Sequence, residues 1–279
     1  MTQPSALVSV NWLHQHLQDE NLVVLDASMK KVVGMEPLLY EQFSCIPGAI
    51  KCDLENNFHH PQATQPNTLP SEQQFTEQAQ ALGIHRDSTV VIYCNQGVYA
   101  SPRAWWMFKI MGVKDVYILN GGLPAWLKQK YPTSPKYQAP KQGSIVGHIQ
   151  SELLQDAQQV LNAINNPENT VLDARSKARF LGESPEPRAG VRSGHIPNSI
   201  NLPFAQLLID GAFKDKITLK DVFSKSSIGL NQKLIFSCGS GITACIVLVS
   251  AFEAGYQHLS LYDGSWSEWG SDETLPLET

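Results

Sequence analysis

The sequence predicts an α/β protein made of two copies of one domain, each a mainly parallel sheet flanked by helices. Three observations carry this. Short β-branched runs such as "VVIY" and "KLIFS" alternate with helical stretches, as strands joined by helical crossovers do. The two halves of the chain repeat one another. The length of 279 residues, 42% hydrophobic and 17% charged, is a globular composition with room for two ordinary domains.

The repeat lies in four ordered pairs. "NLVVLDAS" (21–28) matches "NTVLDARS" (169–176), and "IPGAIKCDL" (46–54) matches "IPNSINLPF" (196–204). "VVIYCNQGVYA" (90–100) matches "LIFSCGSGITA" (234–244), and "VYILNGGLPAW" (116–126) matches "LSLYDGSWSEW" (259–269). The offset stays between 143 and 150, far too long for a solenoid period. Helices are expected over 71–82, 101–112 and 243–255. Ser71 followed by Gln74 reads as a capping box, and Gly112 and Gly255 read as helix stops. The stretch "YPTSPKYQAPKQGS" (131–144) holds three prolines and no apolar periodicity, which marks a linker. The expected division is a first domain over 1–131, a linker over 132–147 and a second domain over 148–279.

The formal net charge is −5 and no dense Lys/Arg run appears, so nucleic-acid and anionic-membrane binding find little support. No stretch is long and apolar enough to span a bilayer, and "MTQPSALVSVNWLHQ" lacks the pattern of a signal peptide. The cysteines at 45, 52, 94, 238 and 245 are scattered, without CxxC pairs. That argues against a disulfide framework or a zinc site and for a reducing, cytoplasmic setting. No metal and no cofactor are expected.

The chemistry concentrates at "IFSCGSGITACIV" (235–247), where a buried strand ends on Cys238. A lone cysteine is most often a small core hydrophobe. Here, however, Gly239 and Gly241 can take backbone angles closed to other residues, and a helix follows. In parallel sheets, ligands bind beyond the carboxyl ends of strands. Such a loop can turn its N–H groups toward one centre, an anion nest backed by the helix N-terminus. Environments of that kind lower a thiol pKa from about 8.5 to about 3.5–7.5, so Cys238 is the expected nucleophile. Ser240 and Thr243 add hydroxyls, and Ile242 completes the loop. Cys94 is the rival in the first half. Its loop "CNQGVYASPR" keeps one glycine and continues into Pro102, so it should curl less freely. Cys245 reads as core packing, and Cys45 and Cys52 as structural or neutral.

The duplicated α/β domain, "GHIP", "NGGLPAW" and the six-residue loop opened by cysteine resemble the two-domain rhodanese family over nearly the whole chain. "CGSGITAC" (238–245) resembles the loop of its 3-mercaptopyruvate sulfurtransferase branch. That resemblance implies a relay. A cysteine thiolate takes a sulfane sulfur from the donor and becomes a persulfide. A thiol, a thioredoxin-like dithiol protein or cyanide then accepts the sulfur. The thiosulfate-using branch usually carries basic residues directly after the cysteine, where this chain has Gly239 and Ser240.

The second half also carries an insertion, "DARSKARFLGESPEPRAGVRSGHIP" (173–197), holding Arg175, Arg179, Arg188 and Arg192. Guanidinium groups bind carboxylates in bidentate fashion. The resemblance assigns the donor's carboxylate and ketone to the arginines of "ARF" and "EPR", here Arg179 and Arg188. Arg175, next to Asp173, reads as half of a structural ion pair, and His195 as a turn-stabilising residue. The resemblance further implies a proton relay from Ser240 through a histidine to an acid. The acid falls on Glu55, but the histidine position holds Asn67, with His59 and His60 nearby in sequence. Tyr99 is a further candidate to line a cleft.

Three rival readings share part of this pattern. A Cys-x5-Arg phosphatase needs arginine six residues after its cysteine, and those positions hold Ala244 and Ala100. A non-catalytic sulfur-binding or regulatory module could dispense with the cysteine or the arginines, which this chain retains. A thiosulfate sulfurtransferase is the alternative within the same resemblance.

Overall fold

A computed structural model describes residues 5–226 and 228–279. The chain forms two compact units. Unit 1 gathers residues 1–61, 69–150 and 209–213, and unit 2 gathers 62–68, 151–208 and 214–279.

In unit 1 the strands are β1 (Leu7–Val8), β2 (Leu22–Asp26), β3 (Ile50–Lys51), β4 (Thr89–Tyr93) and β5 (Val116–Leu119). Among the described residues they form a sheet of order β1-β5-β4-β2-β3, with every pairing parallel. Around it lie α1 (Val10–His16), α2 (Glu72–Ala81), α3 (Ser101–Ile110) and α4 (Gly122–Lys128). In unit 2 the strands are β6 (Leu154–Gln155), β7 (Asn169–Asp173), β8 (Ile200–Asn201), β11 (Lys233–Ser237) and β12 (Leu259–Tyr262). Their order, β6-β12-β11-β7-β8, repeats that of unit 1, again with parallel pairings. The helices of this half are α5 (Ala157–Ala163), α6 (Lys177–Phe180), α7 (Lys216–Lys225), α8 (Ala244–Ala254) and α9 (Ser265–Trp269). A two-stranded hairpin, β9 (Leu208–Ile209) and β10 (Ala212–Phe213), completes the set. Asp210 and Gly211 make its turn at φ 50 and 73, the paired left-handed angles of a primed hairpin turn.

Local chemistry explains these elements. β4 and β11 are buried over all but their first residue, as expected of inner strands covered on both faces. "ACIVLVSAFEA" shows no polar stripe because α8 is buried almost all round. Gly112 and Gly255 sit just past α3 and α8 at φ 83 and 105, the left-handed stop that a glycine permits. The capping box at α2 is half formed. Ser71 Oγ accepts the Gln74 N–H, but the Gln74 side chain donates to the carbonyls of Asn57 and His59.

The duplication extends to contacts beyond the sheets. Trp126 Nε1 donates to the Pro132 carbonyl, and its counterpart Trp269 donates to that of Pro276. Cys45 forms an isolated antiparallel bridge with Ser134, and its counterpart His195 forms one with Glu278. The start of the 132–147 segment thus does for unit 1 what 276–279 does for unit 2. Further along, Gln138 and Gly143 donate backbone hydrogen bonds to Ala49 and Gln80, so this proline-rich stretch is strapped along unit 1.

Candidate active site

Cys238 follows the last residue of β11, at the carboxyl edge of an inner strand between β12 and β7. Six residues, 238–243, separate that strand from α8. Their carbonyls are all engaged. The Cys238 and Gly239 carbonyls accept the N–H groups of Trp266 and Ser267, both at 2.9 Å. The Ser240 carbonyl accepts Asn67 Nδ2–H at 3.0 Å. The Gly241 carbonyl accepts the Cys245 thiol, and those of Ile242 and Thr243 accept the N–H groups of Cys245 and Ile246. The N–H groups of Gly239, Ser240, Ile242 and Thr243 make no hydrogen bond among the described residues. Such a loop, with its carbonyls held and its amides available, is what an anion nest requires. Cys238 itself is 2% exposed.

The two glycines serve different ends. Gly241 is at φ 77, where an L side chain is strained. Gly239 is outside the left-handed region, so the angular freedom expected of it is not used. Its reason is space, since a Cβ there would lie 2.9 Å from a terminal nitrogen of Arg179.

Arg179 is held in that place. Its Nε and a terminal nitrogen both bind Glu186, at 3.1 and 2.5 Å, a side-on bidentate pair. The Arg179 side chain is 16% exposed and that of Glu186 is 4% exposed. Glu186 also receives Arg175 at 2.8 Å. Arg175 forms the ion pair expected with Asp173, at 2.6 Å, and its guanidinium lies 4.5 Å above the Trp266 ring. Burial opposes the charge on Arg175, but Asp173 and Glu186 outweigh it and hold its pKa above the ordinary value. Arg188 differs, being exposed and without an ion pair among the described residues. Arg192 is structural, with its guanidinium on the carbonyls of Trp269, Gly270, Asp272 and Leu275.

His195 stacks on Phe180 at 3.7 Å and its Nδ1 faces the Phe180 carbonyl, the structural role expected of it. Cys245 is buried on α8, with its thiol donating to Gly241. Asn67 brings an amide, which does not titrate, against Ser240. Glu55 lies in unit 1, where its carboxylate accepts the Lys30 N–H at 2.9 Å. His59 and His60 also lie in unit 1 and are half-buried. Tyr99, expected at a cleft, is 4% exposed within unit 1, with its hydroxyl bonded to the Val33 backbone. Two residues were missed. Glu186 could have been suspected as one of the two glutamates set among the arginines of the insertion, and Ser265 as a serine standing where the repeat has Gly122.

The Cys94 loop is sealed. Cys94 is 0% exposed, and its thiol donates to the Gly97 carbonyl at 3.3 Å. The Gly211 carbonyl of the hairpin accepts the Val98 N–H at 2.9 Å. Gly211 backbone atoms also come within 2.3–3.0 Å of where a Gly97 Cβ would stand. Burial raises the Cys94 thiol pKa against the lowering by nearby amides, which keeps it protonated at neutral pH. Pro102, expected to stiffen this loop, instead sits in the first turn of α3. The hairpin and the 29–44 segment cover the Cys94 loop, with Leu38 N–H donating to Gln96 Oε1, Tyr40 Oη–H to the Asn95 carbonyl and Val98 N–H to the Gly211 carbonyl. Cys52 is likewise buried, its thiol pushed up to about 12.

Gly239→Ala should expel Arg179 from the loop or break its pair with Glu186. We expect the KM for a carboxylate donor to rise about tenfold, the loss of one charge-assisted contact, with the thermal midpoint little changed. An unchanged KM would show that Arg179 yields freely.

A rhodanese-like domain model matches the chain twice, over residues 9–129 and 156–272. The 3-mercaptopyruvate sulfurtransferase of Escherichia coli K12 is 32% identical over 273 residues, covering 97% of each chain. The thiosulfate sulfurtransferase of Rattus norvegicus is 35% identical over 272 residues, covering 95% of this chain and 91% of the relative. The crystal structure of SseA from E. coli, described as one of the 3-mercaptopyruvate sulfotransferases, superposes with a TM-score of 0.84 at 30% identity, covering 94% of this chain and 99% of that one. With both halves of the sequence matched and the same sheet order in both units, this chain belongs to the rhodanese-like domain family, in two tandem copies.

Proposed function

We propose that the protein is a sulfurtransferase that moves the sulfane sulfur of 3-mercaptopyruvate through a persulfide on Cys238, releasing pyruvate. The observation that carries this is the loop itself: Cys238 at a strand end, followed by held carbonyls, available amides and Arg179 against Gly239. The Cys238 thiolate attacks the donor's sulfur, forming an S–S bond as the C–S bond breaks. The electron pair leaves as the pyruvate enolate, which takes up a proton. Arg179 and Arg188 stabilise the carboxylate and the developing enolate charge, and Ser240 supplies the loop's hydroxyl for proton handling. The amides of Gly239, Ser240, Ile242 and Thr243 receive the persulfide anion. A small thiol, a thioredoxin-like protein or cyanide then attacks the outer sulfur and returns Cys238 as thiolate.

The relatives include users of both donors, so percentage identity does not choose between them. The loop favours mercaptopyruvate. Thiosulfate is a dianion, and positions 239 and 240 carry no cation. We expect kcat/KM for mercaptopyruvate to exceed that for thiosulfate by well over tenfold in parallel steady-state assays. The reverse preference would reassign the protein to thiosulfate.

A further inference from the structure

The turn after β12 holds a residue unusual in both backbone and side chain. Ser265 lies at φ 50, a left-handed angle that residues with a Cβ avoid, and is fully buried. Its counterpart in the repeat is Gly122, at φ 55. A Cβ on Gly122 would stand 2.3 Å from the Cys94 carbonyl oxygen and 2.4 Å from that of Gly97, so the first half admits no side chain there. The second half carries one and uses its hydroxyl. Ser265 Oγ accepts the Cys238 N–H at 3.2 Å and donates to the Tyr262 carbonyl at 3.0 Å. The N–H groups of Trp266 and Ser267 take the Cys238 and Gly239 carbonyls. Three consecutive residues therefore hold the peptide entering Cys238 and the two leaving it. Turn geometry alone would favour glycine at 265, so the hydroxyl is what serine adds.

We propose that Ser265 is a positioning residue for the nucleophile. Its hydroxyl fixes the peptide between Ser237 and Cys238 and so sets the direction in which the thiol points. It also occupies the Cys238 N–H, leaving the nest to be formed by the amides further along the loop. Without the hydroxyl a buried donor loses its acceptor, and the peptide turns to find another. This inference rests on Cys238 being the sulfur carrier.

Ser265→Gly and Ser265→Ala test it. Both remove the hydroxyl, and glycine also relieves the backbone strain. The measurements are single-turnover persulfide formation from mercaptopyruvate, steady-state kcat and KM, and the thermal midpoint. In both variants we expect kcat and the single-turnover rate to fall roughly 5- to 50-fold, as when one buried donor is left unmet, with KM within about twofold. The thermal midpoint of Ser265→Gly should equal or exceed that of the unmodified protein. A merely structural serine would move the midpoint and spare kcat. If Ser265→Ala fails to fold, Ser265→Gly still decides. Unimpaired kcat in Ser265→Gly, or a loss confined to KM, overturns the positioning role. An unmodified protein that gains no sulfur on Cys238 overturns instead the reading beneath it.

Discussion

Cys238→Ser should abolish sulfur transfer from mercaptopyruvate, and Cys94→Ser should leave it within about twofold of the unmodified protein. The two cysteines end matching strands of one repeated fold, so their difference must come from what surrounds them. Cys94 is covered, its thiol donates to a carbonyl, and burial keeps it protonated. A protonated thiol is a poor nucleophile, because the thiolate is the attacking species. Among the described residues Cys238 has no such carbonyl, and the amides of Gly239, Ser240, Ile242 and Thr243 that follow it make no hydrogen bond. Serine keeps the size of the side chain but cannot form a persulfide. After donor treatment, intact-mass analysis and peptide mapping should find one added sulfur, on Cys238. Sulfur on Cys94 would exchange the roles assigned to the two halves.

Arg179→Ala should lower kcat/KM for mercaptopyruvate roughly 10- to 100-fold. A hydrogen bond to a charged group contributes about 1.5–3 kcal/mol net, and each 1.4 kcal/mol is about tenfold in rate. Arg188→Ala should cost a similar factor if both arginines hold the donor. The structure gives the two residues different starting points. Glu186 keeps Arg179 in place before any donor arrives, which reduces the entropy lost on binding, whereas Arg188 is exposed and has to be ordered. Lysine should rescue Arg179 only in part, because a point charge cannot reproduce the fork that meets Glu186 side-on. The loss belongs to the donor half-reaction. Persulfide formed beforehand should pass its sulfur to a small thiol at near-normal speed in the Arg179→Ala protein. If single-turnover assays show both half-reactions slowed alike, Arg179 does not hold the donor.

Much of this is legible in the sequence because it is written in local patterns. Buried strands such as "VVIY" and "KLIFS" announce themselves by composition, and the nearly constant offset pairs them across the halves. Cys238 stands out because a thiol, two glycines and a helix start lie within seven residues. The hidden parts are contacts between residues far apart in the chain. Gly239 looks like a flexible hinge until Arg179, 60 positions earlier, is seen beside it. The covering of the Cys94 loop involves Gly211, which the repeat assigns to the other half of the sequence. Asn67 looks like a missing histidine, yet its amide binds the Ser240 carbonyl from 173 positions away. Patterns of one residue type cannot report such meetings, because packing alone brings them about.

The hairpin has a consequence for how the molecule is made. Synthesis runs from residue 1 onward, and unit 1 includes residues 209–213. Its sheet can assemble once β5 has emerged, but the cover over the Cys94 loop arrives only after some 60 further residues of unit 2 have been translated. Until then that thiol lacks part of its lid, on a nascent chain in which Cys238 has not yet been made. Residues 62–68 wait in the same way for unit 2. The duplication therefore did not leave two modules that can be separated by one cut: a chain ending at residue 150 lacks the last piece of its own first domain, and a chain beginning at 151 lacks the asparagine that binds the Cys238 loop.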